Sequence, residues 1–172
     1  MAHQRQADWI NYVKAVFPQY FKGVDVLDVG SYDINGNNRP FFSGDCNYFG
    51  IDLVDGKNVD MVGDWNELTP PLGEYDTVIS TEMLEHDKNW DASIVKMYDY
   101  VKSGGLLLIT AAGTGRREHG THLNAPESSP ATNDYYKNIT NEMFLEVLPA
   151  EKFTNHLIRQ FDTDFQFWGI KP

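Results

Sequence analysis

Apolar residues fall along this chain in short blocks separated by polar, glycine-containing stretches. Val24–Val29 (VDVLDV), Tyr48–Leu53 (YFGIDL), Val59–Val62, Tyr75–Ser80 (YDTVIS) and Leu106–Ala111 (LLLITA) each have the length and composition of a buried strand. The last is apolar throughout, which places it at the sheet centre. Helical periodicity lies between and around these blocks. Within a cap segment spanning 1–23, Gln6 to Phe21 carries Trp9, Val13, Phe17 and Tyr20 on one face, the pattern of an amphipathic helix. Asp91 to Val101 reads as a helix stopped by Ser103-Gly104-Gly105. Asn141–Leu148 reads as another, with Thr140 as N-cap and Glu142 in its first turn. Phe153–Phe161 and Asp164–Ile170 close the chain as two strands joined by Asp162-Thr163. A link that short cannot be a parallel crossover, so the last strand runs antiparallel to its neighbour. The prediction is a single α/β domain over 1–172, doubly wound, with a mostly parallel seven-stranded sheet and an antiparallel last strand.

Composition narrows the partners. With 172 residues, 41% hydrophobic and 13% aromatic, the chain is long enough for one real core. A net charge of −11 without a basic stripe argues against a nucleic-acid partner and an anionic membrane surface. Cys46 is the only cysteine, so neither an internal disulfide nor a cysteine-based zinc site is expected. No secretory signal and no long apolar span are evident, which predicts a soluble, cytoplasmic protein. The sequon at Asn138-Ile139-Thr140 is read as chance on the same ground.

The polar chemistry gathers where the strands end. Val24 to Arg39 runs from the first strand through Asp28 into a loop rich in glycine and asparagine. A short strand followed by such a loop suits a nucleotide-type cofactor. The loop lacks the second glycine of G-x-G-x-x-G, and no G-x-x-x-x-G-K-[ST] occurs, so a polyphosphate grip is not expected. An Asp in this place suits a ligand with a positive charge and an amino group. Asp52, followed by Leu53, ends the second strand, where an acid can accept both hydroxyls of a ribose; the alternative is a turn-forming Asp. Asp64-Trp65 follows the third strand and could meet an adenine, unless Asp64 only caps a turn. Thr81-Glu82 and Glu85-His86 follow the fourth strand, and Gly113 to His122 the fifth. In a parallel sheet these ends share one rim.

The order LDVG…NG, FGIDL, VGDW, YDTVISTEMLEH and SGGLLLIT resembles the class I S-adenosylmethionine-dependent methyltransferases, over roughly Val24 to Ala112. Within them, GSYDINGNNR and EHGTHLNAPESSPATNDYYKNIT resemble a small bacterial and phage branch of unassigned substrate. The resemblance implies a Rossmann-like fold and S-adenosylmethionine as cofactor. It implies that Asp28 orients the ligand's amino group, with Gly30 and Ser31 against the methionine part and Asn35 and Gly36 bending the loop. Asp52, beside Leu53, would hold the ribose. Asp64 and Trp65 would border the adenine, and Thr81 and Glu82 would lie beneath the sulfonium. One departure is clear: Tyr32 and Ile34 stand where the family's later glycines belong.

On the catalytic side, methyl transfer needs alignment, and an oxygen nucleophile usually needs a base as well. His119 and His86 are the candidate bases, with His122 nearby and His119 preferred. His119 and His122 with His86, Glu82 or Asp134 could in principle hold a metal, but the spacing is not diagnostic and no metal is assigned. Arg116 and Arg117 either grip an anionic group or serve as counter-charges. The long segment 113–139 is expected to be a substrate lid anchored by Tyr135 and Tyr136. The expected reaction is methyl transfer to a small-molecule or glycan-like acceptor at oxygen, in an open pocket that a homodimer partner could complete. The rivals are a non-catalytic cofactor-binding module and an NAD-type oxidoreductase, the latter disfavoured by the missing glycine.

Overall fold

The computed structural model describes residues 4–172; the start of the predicted cap segment, 1–3, lies outside the described residues. Seven strands form one sheet: β1 (Asp25–Val29), β2 (Asn47–Asp52), β3 (Met61–Val62), β4 (Tyr75–Thr81), β5 (Val101–Ala112), β6 (Asn155–Phe161) and β7 (Asp164–Ile170). Their order is β3-β2-β1-β4-β5-β7-β6. Neighbours from β3 to β5 pair in parallel, while β7 runs antiparallel to both β5 and β6. This is the Rossmann-like sheet with a reversed last strand that the strand pattern and the family resemblance had suggested.

Alternation along the strands sorts the apolar residues onto two faces. Leu107, Ile109 and Ala111 of β5 join Leu27, Val29, Phe165 and Phe167 on one face. Ile94 and Met97 of helix α2 (Trp90–Asp99) and Phe144 of helix α3 (Asn141–Val147) cover it. Leu106 and Leu108 point the other way, with Val26, Ile79 and Trp168, and are covered by Trp9, Ile10 and Val13 of helix α1 (Gln4–Val16). Thr140 caps α3 as expected, its hydroxyl accepting from the Met143 amide at 3.2 Å.

Several boundaries differ from the sequence reading. Helix α1 ends at Val16 because Pro18 follows, and a 3-10 turn takes over at Pro18–Tyr20. Helix α2 ends at Asp99, and Val101 already pairs with Tyr75; Ser103-Gly104-Gly105 is a register irregularity within β5 rather than a helix stop. β6 begins at Asn155, two residues after the expected Phe153, which instead ends the 3-10 turn Ala150–Lys152. No helix joins β1 to β2; that crossover is a loop with one 3-10 turn at Arg39–Phe41. Among the described residues no helix is long and apolar enough to cross a membrane.

Candidate active site

The sheet order turns at β1 and β4, whose chains run on to opposite sides of it. The carboxyl ends of strands diverging in this way leave a crevice. Here the crevice is a cleft of about 420 Å³, reached by residues of all four strand ends and of the segment after β5. Asp28, Gly30, Ser31, Asn35, Gly36, Asp52, Leu53, Asp64, Trp65, Thr81, Glu82 and His86 all line it.

Asp28 sits on the floor with no solvent exposure. Both of its oxygens accept from the Asn38 amide nitrogen, at 3.2 and 3.3 Å, and the Tyr48 hydroxyl donates to one of them. Burial raises its pKa to about 6, against the pull of the Tyr48 and Asn38 hydrogen bonds. The Asn38 nitrogen also donates to the Thr81 hydroxyl at 3.0 Å, tying β4 to the loop. Neither Asn38 nor Tyr48 stood out in the sequence, although Asn38 sits in the conspicuous asparagine-rich stretch.

The loop after β1 is shaped by side-chain capping where the usual glycines are missing. Asp33 accepts from the Gly36 amide and the Asn37 side chain, each at 2.7 Å, and pairs with Lys57 at 2.7 Å. Those bonds, Lys57 foremost, hold the Asp33 carboxyl below its ordinary pKa. Gly30 keeps a strict role. Its φ is +84°, and a Cβ there would fall 2.6 Å from Cβ and Cγ of Met83. The Ser31 hydroxyl is buried and has no hydrogen-bond partner.

Asp52 accepts from the Tyr32 amide at 3.0 Å and the Val54 amide at 3.3 Å. The loop is thereby latched to the end of β2, while burial raises the Asp52 pKa. Asp64 accepts from the Asn66 amide at 2.8 Å, the Asx-turn geometry that the sequence left open beside a ligand role. Trp65 is 6% exposed; its indole donates to the Ser93 carbonyl at 3.2 Å, and Lys96 lies 4.5 Å over its ring. It therefore forms the wall from within the core.

Beyond Thr81 the chain turns sharply at Glu82, whose φ is +55°. The Glu82 carboxylate accepts from the Thr110 hydroxyl at 3.0 Å, with Arg116 at 3.8 Å. Glu85 and His86 follow in a 3-10 turn, Leu84–His86, and both are buried. His119 is not among the cleft-lining residues; it packs edge-on against His86, with ring centroids 5.1 Å apart, and Tyr136 touches both imidazoles. Burial lowers the pKa of His86 to about 4 and depresses that of His119. Glu85 is shifted upward by burial and then by its neighbour Glu82. His122 is exposed and stands apart from this group.

Part of the segment 113–139 lies along one side of the cleft. Ser128, Ser129, Pro130, Ala131, Thr132 and Asp134 line it. The segment is pinned to the body through the Lys137 amide on the Glu85 carbonyl at 2.8 Å and the Ile139 amide on the Ala112 carbonyl at 2.8 Å. Lys88 and Asp134 are paired at 2.5 Å across its edge. Tyr136 packs its ring against His86 and His119. Arg116 is turned toward Asp164 and Glu82, and the Asn138 side chain donates to its carbonyl at 3.1 Å.

Fold and cleft together define a Rossmann-like methyltransferase architecture. The family model for the methyltransferase domain matches residues 1–155, and the chain belongs to that family. No curated protein matches it significantly in sequence. Solved structures with the same fold include Haemonchus contortus phosphoethanolamine N-methyltransferase 2 in complex with S-adenosyl-L-methionine, at 18% identity and a TM-score of 0.63. That alignment covers 94% of this chain but 52% of the Haemonchus protein, so the chain spans about half of its length. Burkholderia thailandensis 1,6-didemethyltoxoflavin-N1-methyltransferase, with its acceptor and S-adenosylhomocysteine bound, aligns at 14% identity and a TM-score of 0.62. The match covers 98% of this chain and 81% of that one. Magnesium protoporphyrin IX methyltransferase from Synechocystis, with bound S-adenosylhomocysteine, aligns at 16% identity, a TM-score of 0.60, and coverages of 100% and 89%.

Proposed function

We propose that this chain transfers a methyl group from S-adenosylmethionine to a small, hydroxyl-bearing or glycan-like acceptor, at oxygen. The observation that carries the cofactor reading is the convergence of Asp28, Gly30, Ser31, Asp52, Asp64 and Glu82, from four separate strand ends, on one cleft. In this reading Asp28 faces the cofactor's positive end, and the Asp52 carboxylate keeps acceptor capacity for ribose hydroxyls beyond its two backbone bonds. The unpartnered Ser31 hydroxyl offers a hydrogen bond to the methionine part. The family match and the ligands of the fold neighbours support the same cofactor.

The acceptor assignment rests on the opposite wall. Ser129, Thr132, Asp87, Asn89 and Asp134 present hydroxyl, amide and carboxylate groups there, a lining suited to an acceptor with several hydroxyls. The fold accommodates other acceptor atoms, as the two N-methyltransferases named above illustrate. His86 reaches the cleft, but burial makes it a weak proton acceptor, and His119 stands behind it. Alignment of acceptor and methyl is the larger contribution these residues make.

Turnover tests this directly. Incubation with methyl-labelled S-adenosylmethionine and a panel of hydroxylated, amine and carbon acceptors should yield labelled product with an oxygen acceptor. Labelled amine product alone would contradict the oxygen assignment. Cofactor binding without turnover on any acceptor would favour the binding-module alternative.

A further inference from the structure

Among the buried polar side chains near the cleft without partners, besides the Ser31 hydroxyl, two are neighbours in sequence. Glu85 has no solvent exposure, and no side chain and no well-formed hydrogen bond reaches either of its carboxylate oxygens, on which only the backbone of Glu85 and Ala112 bears weakly. His86 is 7% exposed, and its Nδ1 is likewise unpartnered. Burying such groups without compensation costs several kcal/mol, on the order of 1–3 kcal/mol apiece even for neutral ones. His119 completes the group. One ligand-type atom from each of Glu85, His86 and His119 lies within 4.8 Å of the other two.

We propose that Glu85, His86 and His119 form a binding site for a divalent cation of the zinc, cobalt or manganese class, set in the wall of the cleft. Two imidazoles and one carboxylate are a donor set for such borderline ions, leaving coordination positions open. The outer contacts are already those of a ligand set. His119 Nδ1 lies 3.1 Å from the Arg117 carbonyl, so that nitrogen carries the proton and Nε2 keeps its lone pair. Tyr136 packs on both rings and fixes their mutual angle. Gly120, at φ +66°, lets the chain pass against His86; a Cβ there would fall 2.6 Å from His86 Cε1. Atoms bound to one such ion at about 2.1 Å lie roughly 3–3.5 Å apart, so the three groups need to draw together by about an ångström. Glu82 lies next along the turn and adds negative charge, partly balanced by Arg116.

The site itself stands on this geometry; its role rests on the methyl-transfer reading. His86 places it at the cleft wall, where an acceptor hydroxyl can occupy an open position. A bound hydroxyl loses its proton to solvent more readily. Its oxygen then forms the new bond to the methyl carbon while the carbon–sulfur bond breaks, the electron pair remaining on sulfur as S-adenosylhomocysteine forms.

The test uses the full chain, stripped with chelator and shown to melt cooperatively. Zn²⁺ is titrated by calorimetry and Co²⁺ by visible absorption, with S-adenosylhomocysteine binding measured in parallel. One equivalent of zinc should bind, and cobalt should give a ligand-field band. Glu85→Gln, which preserves shape, and His119→Ala, at a partly exposed position, should each weaken zinc by more than about tenfold while retaining S-adenosylhomocysteine binding. His122→Ala should bind zinc as the parent does. No zinc binding to the folded chain, or binding indifferent to both Glu85→Gln and His119→Ala, would overturn the site. Zinc binding without S-adenosylhomocysteine binding would support the site and remove the methyl-transfer role given to it.

Discussion

The two walls of the cleft are built differently. On the wall formed by the ends of β1 and β2, Asp28 is bonded to Asn38 and Tyr48, Asp33 to the Gly36 amide, Asn37 and Lys57, and Asp52 to two backbone amides. Those contacts set the shape before any ligand arrives, which is how a site avoids reorganising on binding. On the wall formed by His86 and segment 113–139, with Glu85 behind it, buried polar atoms are left without partners beneath a loop held by backbone bonds, the Lys88–Asp134 pair, the Asn138 side chain and the Tyr136 ring. The first wall is held largely complete by its own contacts, with the Ser31 hydroxyl left unpartnered on it. The second still has bonds to make.

Substitutions that respect this division should separate the two walls. The largest effect is expected at Gly30→Ala, where a left-handed backbone and the Met83 contact both oppose a side chain. The combined strain is about 3 kcal/mol, roughly 6–12 °C in Tm for a chain of this length, with cofactor affinity falling alongside. A thermal melt with and without S-adenosylhomocysteine measures both; a change within 2 °C or so would show that the loop is softer than described.

Asp28 provides the next effect. Its folded pKa of about 6 lies above the unfolded value, so the folded chain holds a proton that the unfolded chain releases. Stability should therefore fall as pH rises from about 4 to about 6 and then level off. The α-ammonium group of the ligand favours the ionised form, so affinity for S-adenosylhomocysteine should rise several-fold over the same window and flatten above it. Asp28→Asn should remove the Asp28 contribution to both slopes. Calorimetry and melts at stepped pH would expose an unchanged profile, which would place the charge sensitivity elsewhere.

Tyr136→Ala gives the smallest and most selective effect. Removing the ring from His86 and His119 should raise the acceptor KM several-fold and leave S-adenosylhomocysteine affinity within about twofold. Equal loss of both would mean that the loop supports the whole cleft rather than one wall.

The difference between the walls also explains what could be read from sequence. The receptor wall is made of strand ends, and strands announce themselves by apolar blocks, so the rim carrying Asp28, Asp52, Asp64 and Glu82 followed from the order of those blocks. Details governed by single backbone conformations did not. The Ser103-Gly104-Gly105 stretch looks like a helix stop, yet it is accommodated inside β5 because pairing with β4 resumes on its far side. The connection from β1 was legible as a glycine- and asparagine-rich loop, but its closure by Asp33 on the Gly36 amide was not. On the other wall, His86 and His119 were visible as chemistry. Their contact with each other was not, because it depends on how segment 113–139 folds back over more than thirty residues of chain. Glu85 drew no separate notice for the same reason: its isolation is a property of burial, which no local pattern encodes.

The central claim is that this cleft holds S-adenosylmethionine through the acid at the end of β2. Calorimetric titration of S-adenosylhomocysteine into the parent chain and Asp52→Ala, with NADH as control, tests it most directly. The account predicts one site per chain in the parent, no NADH binding, and a loss of about 3 kcal/mol, roughly a hundredfold, in the folded variant. Equal binding by both proteins, or no binding by a well-folded parent, would contradict it.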